Sequence, residues 1–366
     1  MRRCLIQLER HAIKSFGVWM NSRRSILSKR DGRRYGFEVV QRRAEALWPT
    51  IASELGLSPI GTKFGRMQVN RKTEDHCCVL RVSLEDGSEF VLRADFGEGS
   101  LHQHQAIISR HQVAAKSLKF SPHASVPQLL WWDTEHKYSL MEFAPGETAF
   151  QALQMAGLGF GDRRQLVERM GNAVRVLHQC SSADKQRFWP KRHLDAVSQT
   201  AEAVREGHLT VLKPKRFLGL CAYLHRSARR SKGIRFQPGF THGDLHFRNV
   251  LVSADQISFI DFSSRGFSIV ERDISNLWLA NGLDHLSGID GDTGFGGVSN
   301  SDWAAFEAGY GRKITHEPLF QFCFALRLWE SWVRFSISGR AAGEKGRMQL
   351  KLLVRVVDLL LAEEVG

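Results

Sequence analysis

Two short apolar runs, Val250-Leu251-Val252 and Ile257-Ser258-Phe259-Ile260, are joined by a polar turn and bracketed by Asn249 and Asp261. Runs of this length, rich in β-branched and aromatic residues, predict a β-hairpin. Antiparallel pairing sets the entry of one strand opposite the exit of the other, with Cα atoms about 4.5–5.5 Å apart. The hairpin therefore delivers an amide oxygen and a carboxylate to one point. Oxygen donors of this kind suit Mg²⁺, which takes one or two carboxylates and completes its octahedron with phosphates and water. Asp244 stands five residues before Asn249, in the loop that leads into the hairpin. A carboxylate there faces the same point and is placed to accept the proton of an attacking hydroxyl.

The rest of the composition narrows the class of chain that carries this element. At 366 residues, with 43% hydrophobic and 24% charged residues, the chain predicts two packed lobes with a sizeable core. No apolar run reaches eighteen residues, which predicts no membrane span. The N-terminus shows no secretory pattern, and a cytoplasmic location follows as the expectation. Six scattered cysteines (Cys4, Cys77, Cys78, Cys180, Cys221, Cys323) form no C-x-x-C pair, the pattern of reduced thiols and not of a disulfide framework or zinc site. The net charge of +13 invites a nucleic-acid reading. However, residues 1–35 hold ten Lys/Arg against only Glu9 and Asp31, about +8 of the total. The charge belongs to a tail, and nucleic acid is disfavoured as a partner.

Along the chain, residues 37–55 read as a helix with Pro49 as a possible kink point. Strands are expected at 63–69, 76–82, 89–94, 127–132 and 138–143, with a helix at 101–118 after the third. Beyond residue 150 the pattern is helical, at 164–178, 195–232, 301–311, 318–338 and 346–364, interrupted by the hairpin. Residues 288–300 read as a loop. His102, His104 and His111 read as exposed helix surface, and Trp278, Trp303, Trp329 and Trp332 as core.

H-G-D-L-H-F-R-N (242–249) followed by I-D-F (260–262) resembles the signature of the aminoglycoside phosphotransferase and choline kinase superfamily, relatives of the protein kinases. More loosely, the resemblance extends over about residues 60–335. F-V-L-R (90–93) resembles the family's third strand, L-M-E-F-A-P-G (140–146) its hinge, and V-L-H (176–178) the end of its first large-lobe helix. E-R-D-I-S-N-L (271–277) resembles the segment whose aspartate braces the catalytic loop. The resemblance implies an α+β, protein-kinase-like fold of two lobes, with a small antiparallel-sheet N-lobe and a larger helical C-lobe. Residues 1–35 would be a basic extension, 36–143 an N-terminal helix and nucleotide-binding sheet lobe, and 144–366 the helical lobe with catalytic loop and acceptor site. It implies ATP- and Mg²⁺-dependent transfer of the γ-phosphate to a hydroxyl of a small polar acceptor, aminoglycoside-, choline- or sugar-like. Carried over by match, Asp244 is the catalytic base and His242 organises its loop. Asn249 and Asp261 hold Mg²⁺, Asp273 is the brace, and the backbone of Glu142 and Ala144 meets adenine. A sugar or glycan kinase of lipopolysaccharide type and a catalytically weak pseudokinase binding module are the alternatives.

The chain departs from the family's pattern in several places. Arg93 stands where the third strand usually carries Lys, and is read as a phosphate clamp. The helix at 101–110 contains no acid to partner it, leaving Gln103, Gln105 or the upstream Glu98 as candidates. The loop at 70–75, with Arg71 and Lys72, has no glycine, and Ser263 follows Asp261-Phe262 where protein kinases have Gly. Residues 273–330 carry eight acids against three Lys/Arg, net −5. That balance favours a cationic or polyhydroxyl acceptor if those acids face it, and a solvated helical surface if they do not.

Overall fold

The computed structural model describes residues 37–67, 77–95, 101–133, 137–181, 183–264, 266, 268–279, 292–337 and 343–362. The basic segment 1–35, the loop at 70–75, Glu98, Asp284 and Asp290 lie outside the described residues.

Helix α1 (Phe37–Glu54) precedes strands β1 (Lys63–Arg66), β2 (Cys77–Ser83) and β3 (Glu89–Asp95). Ala44, Trp48 and Ile51, spaced four and three apart, form its buried face. Pro49 does not divide it, and Gly56, at φ +68°, follows its end. The inward residues of β2 alternate as Cys78, Leu80 and Val82, and pack with Leu92, Ala94 and that helix face into one cluster. Helix α2 (Leu101–Leu118) follows, then β4 (Ala124–Ser125), β5 (Leu129–Asp133) and β6 (Tyr138–Glu142). The small sheet runs β1-β2-β3-β6-β5, antiparallel throughout. The five expected strands and the helix between the third and fourth are therefore present.

The chain leaves the sheet through Ala144-Pro145-Gly146 and enters β7 (Glu147–Thr148) and α3 (Ala149–Gly157). Gly146 has φ +115°, and a Cβ there would overlap the carbonyl of Val252. Only glycine lets the hinge pass so close to the hairpin. Helix α4 (Arg163–His178) buries the stripe Leu166, Val167, Met170, Val174 and Leu177. The expected single helical stretch at 195–232 is two helices, α5 (Lys191–Arg205) and α6 (Pro214–Ser231). They are flanked by a two-residue ribbon, β8 (Gln186–Arg187) with β9 (Arg235–Phe236).

The hairpin is β10 (Val250–Val252) paired with β11 (Ile257–Phe259), with Val250 opposite Phe259. It is not isolated: β7 adds antiparallel to β10 and β4 parallel to β11, giving four strands. Helices α7 (Glu271–Leu279), α8 (Asn300–Tyr310), α9 (Pro318–Ile337) and α10 (Glu344–Ala362) complete the larger lobe. Trp278, Trp303, Trp329 and Trp332 are all buried in its core, as expected from sequence. Among the described residues no helix is long and apolar enough to cross a membrane.

Candidate active site

The loop that leads into the hairpin enters from Phe240 and is held by Asp273, in the first turn of α7. The Asp273 carboxylate accepts from the backbone N–H of His242 and of Gly243 (3.0 Å to the latter). Gly243 has φ +84°, a conformation glycine adopts without strain. Burial pushes the Asp273 carboxyl up, but His178, at 3.6 Å, and His242 hold it below the ordinary carboxylate range. His178 is itself fixed by Tyr310, whose hydroxyl lies 2.9 Å from Nδ1. Farther along the loop, Asn276 donates to the Leu245 carbonyl (2.7 Å) and accepts from Arg327 (2.6 Å).

His242 is wholly buried and stacks on Phe262 at 4.5 Å. Its Nε2 lies 2.9 Å from the Ile260 carbonyl and its Nδ1 3.4 Å from the N–H of Asp244. The neutral tautomer satisfies both contacts, and burial lowers the ring's pKa in agreement. His242 thus ties the loop to the segment after β11 and does not itself reach the reacting side.

Asn249 and Asp261 bracket the hairpin as the spacing predicts, with Ile260 N–H donating to the Asn249 carbonyl at 3.1 Å. The Asn249 amide nitrogen donates to the Asp244 carbonyl (3.0 Å), which reserves Oδ1 for a ligand. Asp261 has φ +62°, the left-handed region. A non-glycine residue held there costs about 1–3 kcal/mol and such residues cluster at functional sites. Burial raises its carboxyl, but the Arg93 guanidinium, backed by His242 and His246, brings it below the usual range. Its side chain is nevertheless 49% exposed, on the open side of a buried loop.

Arg93 reaches Asp261 directly from β3, so the small sheet and the segment after the hairpin meet at this ion pair. Of the candidate partners on α2, Gln105 is exposed and Gln103 half-buried. At the hinge, Glu142 N–H donates to the Gln128 carbonyl (3.0 Å), and Gln128 N–H binds the Glu142 carboxylate (3.0 Å).

The donor set fits a hard cation only in part. Asp261 and the Asn249 amide oxygen are the oxygen ligands Mg²⁺ prefers. Among the described residues no group of three or more His, Cys, Asp or Glu is arranged to hold a metal alone. A site of two protein oxygens suits a cation that arrives with phosphate oxygens.

Three residues of the site were not legible in the sequence. His246 lies between Asp244 and Asp261. Burial lowers its pKa while both aspartates raise it, and its Nδ1 is buried without a hydrogen-bond partner. Its place two residues after Asp244 was the available signal. From α2, Arg110 reaches the loop at Thr241, and His111 reaches Phe262 after the hairpin. His104 and His111 are buried, at 8% and 5% exposure, which corrects the surface reading. They share a face with Ile108, Ala114 and Leu118, a spacing that marks the buried stripe whatever the residue's polarity.

The described acids of the 273–330 stretch all have partners within the chain. Asp302 is paired with Arg163 (2.7 Å), Glu317 with Arg312 (2.8 Å) and Glu330 with Arg272 (2.9 Å). Glu307 accepts from Thr315 (2.8 Å) and Asp292 from Ser301 (2.7 Å), while Asp273 braces the loop. These six acids make contacts within the chain, and Asp284 and Asp290 lie outside the described residues.

A model of the phosphotransferase enzyme family (APH) matches residues 79–308. Several solved structures share the fold. A thermostable mutant of aminoglycoside phosphotransferase APH(4)-Ia, in ternary complex with AMP-PNP and hygromycin B, is 13% identical, with TM-score 0.53 over 87% of this chain and 98% of that one. Macrolide 2'-phosphotransferase MphH from Brachybacterium faecium is 13% identical, with TM-score 0.53 over 85% and 97%. A choline/ethanolamine kinase family protein from Mesorhizobium loti is 14% identical, with TM-score 0.51 over 88% and 95%. No curated protein sequence matches the chain.

Proposed function

The chain belongs to the phosphotransferase enzyme family, and on that footing we propose that it moves the γ-phosphate of ATP, with Mg²⁺, to a hydroxyl of a small polar acceptor. The observation that supports this reading is the hairpin flanked by Asn249 and Asp261, with the Asn249 amide bonded to the main chain of Asp244 and Arg93 of the small sheet paired to Asp261.

In this reading Asp244 takes the proton of the acceptor hydroxyl as the oxygen attacks phosphorus. Asn249 and Asp261 hold Mg²⁺, which when bound neutralises phosphate charge. Arg93 turns its guanidinium from Asp261 to phosphate oxygens, which it binds bidentately. The backbone of Glu142 and Ala144 meets adenine, and His242 and Asp273 keep the loop in register. A nucleotide analogue in one fold neighbour supports the choice of ATP.

The test is an ATP-consumption screen across aminoglycosides, macrolides, choline-like alcohols, amines and sugars, with Asp244→Asn as control. Acceptor-dependent ADP release that the control lacks supports the proposal. Nucleotide binding without turnover on any acceptor would instead favour a pseudokinase binding module.

A further inference from the structure

Helix α2 carries no acidic residue, yet it is not loosely held. Ala114 and Leu118 belong to the core of the large lobe, and no α2 residue belongs to the small-sheet cluster. His111 contacts the Pro127 carbonyl (2.6 Å) and sets its ring against Phe262 (5.7 Å, 81°). Arg110 crosses to the catalytic loop itself. Its guanidinium donates to the Thr241 carbonyl, lies over the Phe240 ring at 4.9 Å, and occupies the space that a Cβ on Gly266 would need.

The Arg110 side chain is half-buried, with its Nε buried without a hydrogen-bond partner. Burial opposes its charge, and the Asp273 carboxylate, the brace of the same loop, supports it. Holding so long a side chain in one geometry costs conformational entropy that the contacts must offset. What arginine adds is a simultaneous grip on Phe240, Thr241 and Gly266, two of which lead straight into His242-Gly243-Asp244.

We propose that Arg110 is a positioning residue that fixes α2 to the catalytic loop and so holds Asp244 in register. The geometry stands by itself; its consequence for turnover rests on the phosphotransferase reading above.

Two variants attack the grip from opposite sides: Arg110→Met keeps the stem and removes the guanidinium, and Gly266→Ala displaces it. Arg110→Lys restores a donor. In the full chain, amide hydrogen exchange over residues 240–249 should be about tenfold faster in the first two variants. ATP turnover should show kcat lowered about 10–100-fold with KM for ATP little changed, as for a misplaced reacting group. Arg110→Lys should recover part of kcat. Unchanged loop protection in both disrupting variants would overturn the proposal, as would a fall in kcat that only tracks loss of folded protein. If wild type consumes no ATP while loop protection falls in the variants, the anchor stands and the phosphotransferase reading fails.

Discussion

The Arg93 guanidinium is ion-paired to the Asp261 carboxylate, joining β3 of the small sheet to the residue that follows the hairpin. Helix α2 carries no acid, and Arg93 pairs with the Asp261 carboxylate, the proposed cation ligand. The two side chains are 27% and 49% exposed, and pairs this open contribute only about 0–1 kcal/mol. In the proposed reading, a pair this weak would let Asp261 turn to a bound cation and Arg93 to phosphate at little cost. The same pair explains how a catalytic cleft can lack the acidic helix partner and still keep its arginine oriented.

Replacing Arg93 with Met should therefore separate stability from activity. Loss of an exposed pair should lower the unfolding free energy, read from a urea titration, by less than about 1 kcal/mol. With Arg93 as the proposed phosphate clamp, its removal should lower kcat/KM for ATP by about 10²–10³-fold. Arg93→Lys should recover only part of this, because an ammonium cannot bind phosphate bidentately. A Lys variant with full activity would show that charge alone is used.

Asp244 and Asp261 should fail differently. Asp244→Asn removes the proposed proton acceptor and should lower turnover by about 10²–10⁴-fold while ATP still binds. Asp261→Ala should abolish Mg²⁺-dependent nucleotide binding itself. Calorimetric titration with and without Mg²⁺ distinguishes the two, and a normal magnesium dependence in the second variant would remove Asp261 from the metal site.

The hairpin was legible because its determinants are local: strand length, turn and flanking oxygens all lie within twenty residues. The small sheet was legible for the same reason, with Gly87 marking a turn between strands that alternate inward and outward. The break between α5 and α6 was missed although Gly207, at φ +75°, and Pro214 both mark it. Apolar Leu209, Val211 and Leu212 continued the pattern across the gap. Strands β8 and β9 have two residues each, too few for any period to show. The roles of Arg110, His111 and the six engaged acids depend on partners far away in sequence, and no local pattern encodes them.

Helices α4 and α8 cross at two glycines. A Cβ on Gly309 would overlap the carbonyl of Glu168, and one on Gly171 the carbonyl of Phe306. Backbone faces backbone, so neither helix can yield by turning a side chain. Gly309→Ala and Gly171→Ala should each destabilise by about 1–3 kcal/mol or more, read as a lower urea midpoint at unchanged slope. Because α8 carries Tyr310, which holds His178 against Asp273, residual activity should fall as well. Wild-type stability in either variant would contradict the close crossing.

His193 gives the fold a defined acid sensitivity. Burial between Phe188 and Phe322, with Arg272 and Arg192 nearby and only Glu330 opposing, lowers its pKa to about 4. The unfolded chain holds a proton on this ring below about pH 6.5, where the folded chain does not until about pH 4. Between those values the unfolded state binds more protons, so stability rises with pH. The contribution is complete above pH 6.5 and is lost as pH falls toward 4, at most about 3 kcal/mol for this one group. His111, His242 and His246, also lowered by burial, act in the same direction. His193→Phe keeps an aromatic ring between the same neighbours and removes the titration. Its melting temperature should therefore decline less steeply than wild type between pH 6.5 and 4, while the two curves run parallel above pH 7. Identical slopes below pH 6.5 would mean that His193 already accepts its proton in the folded protein.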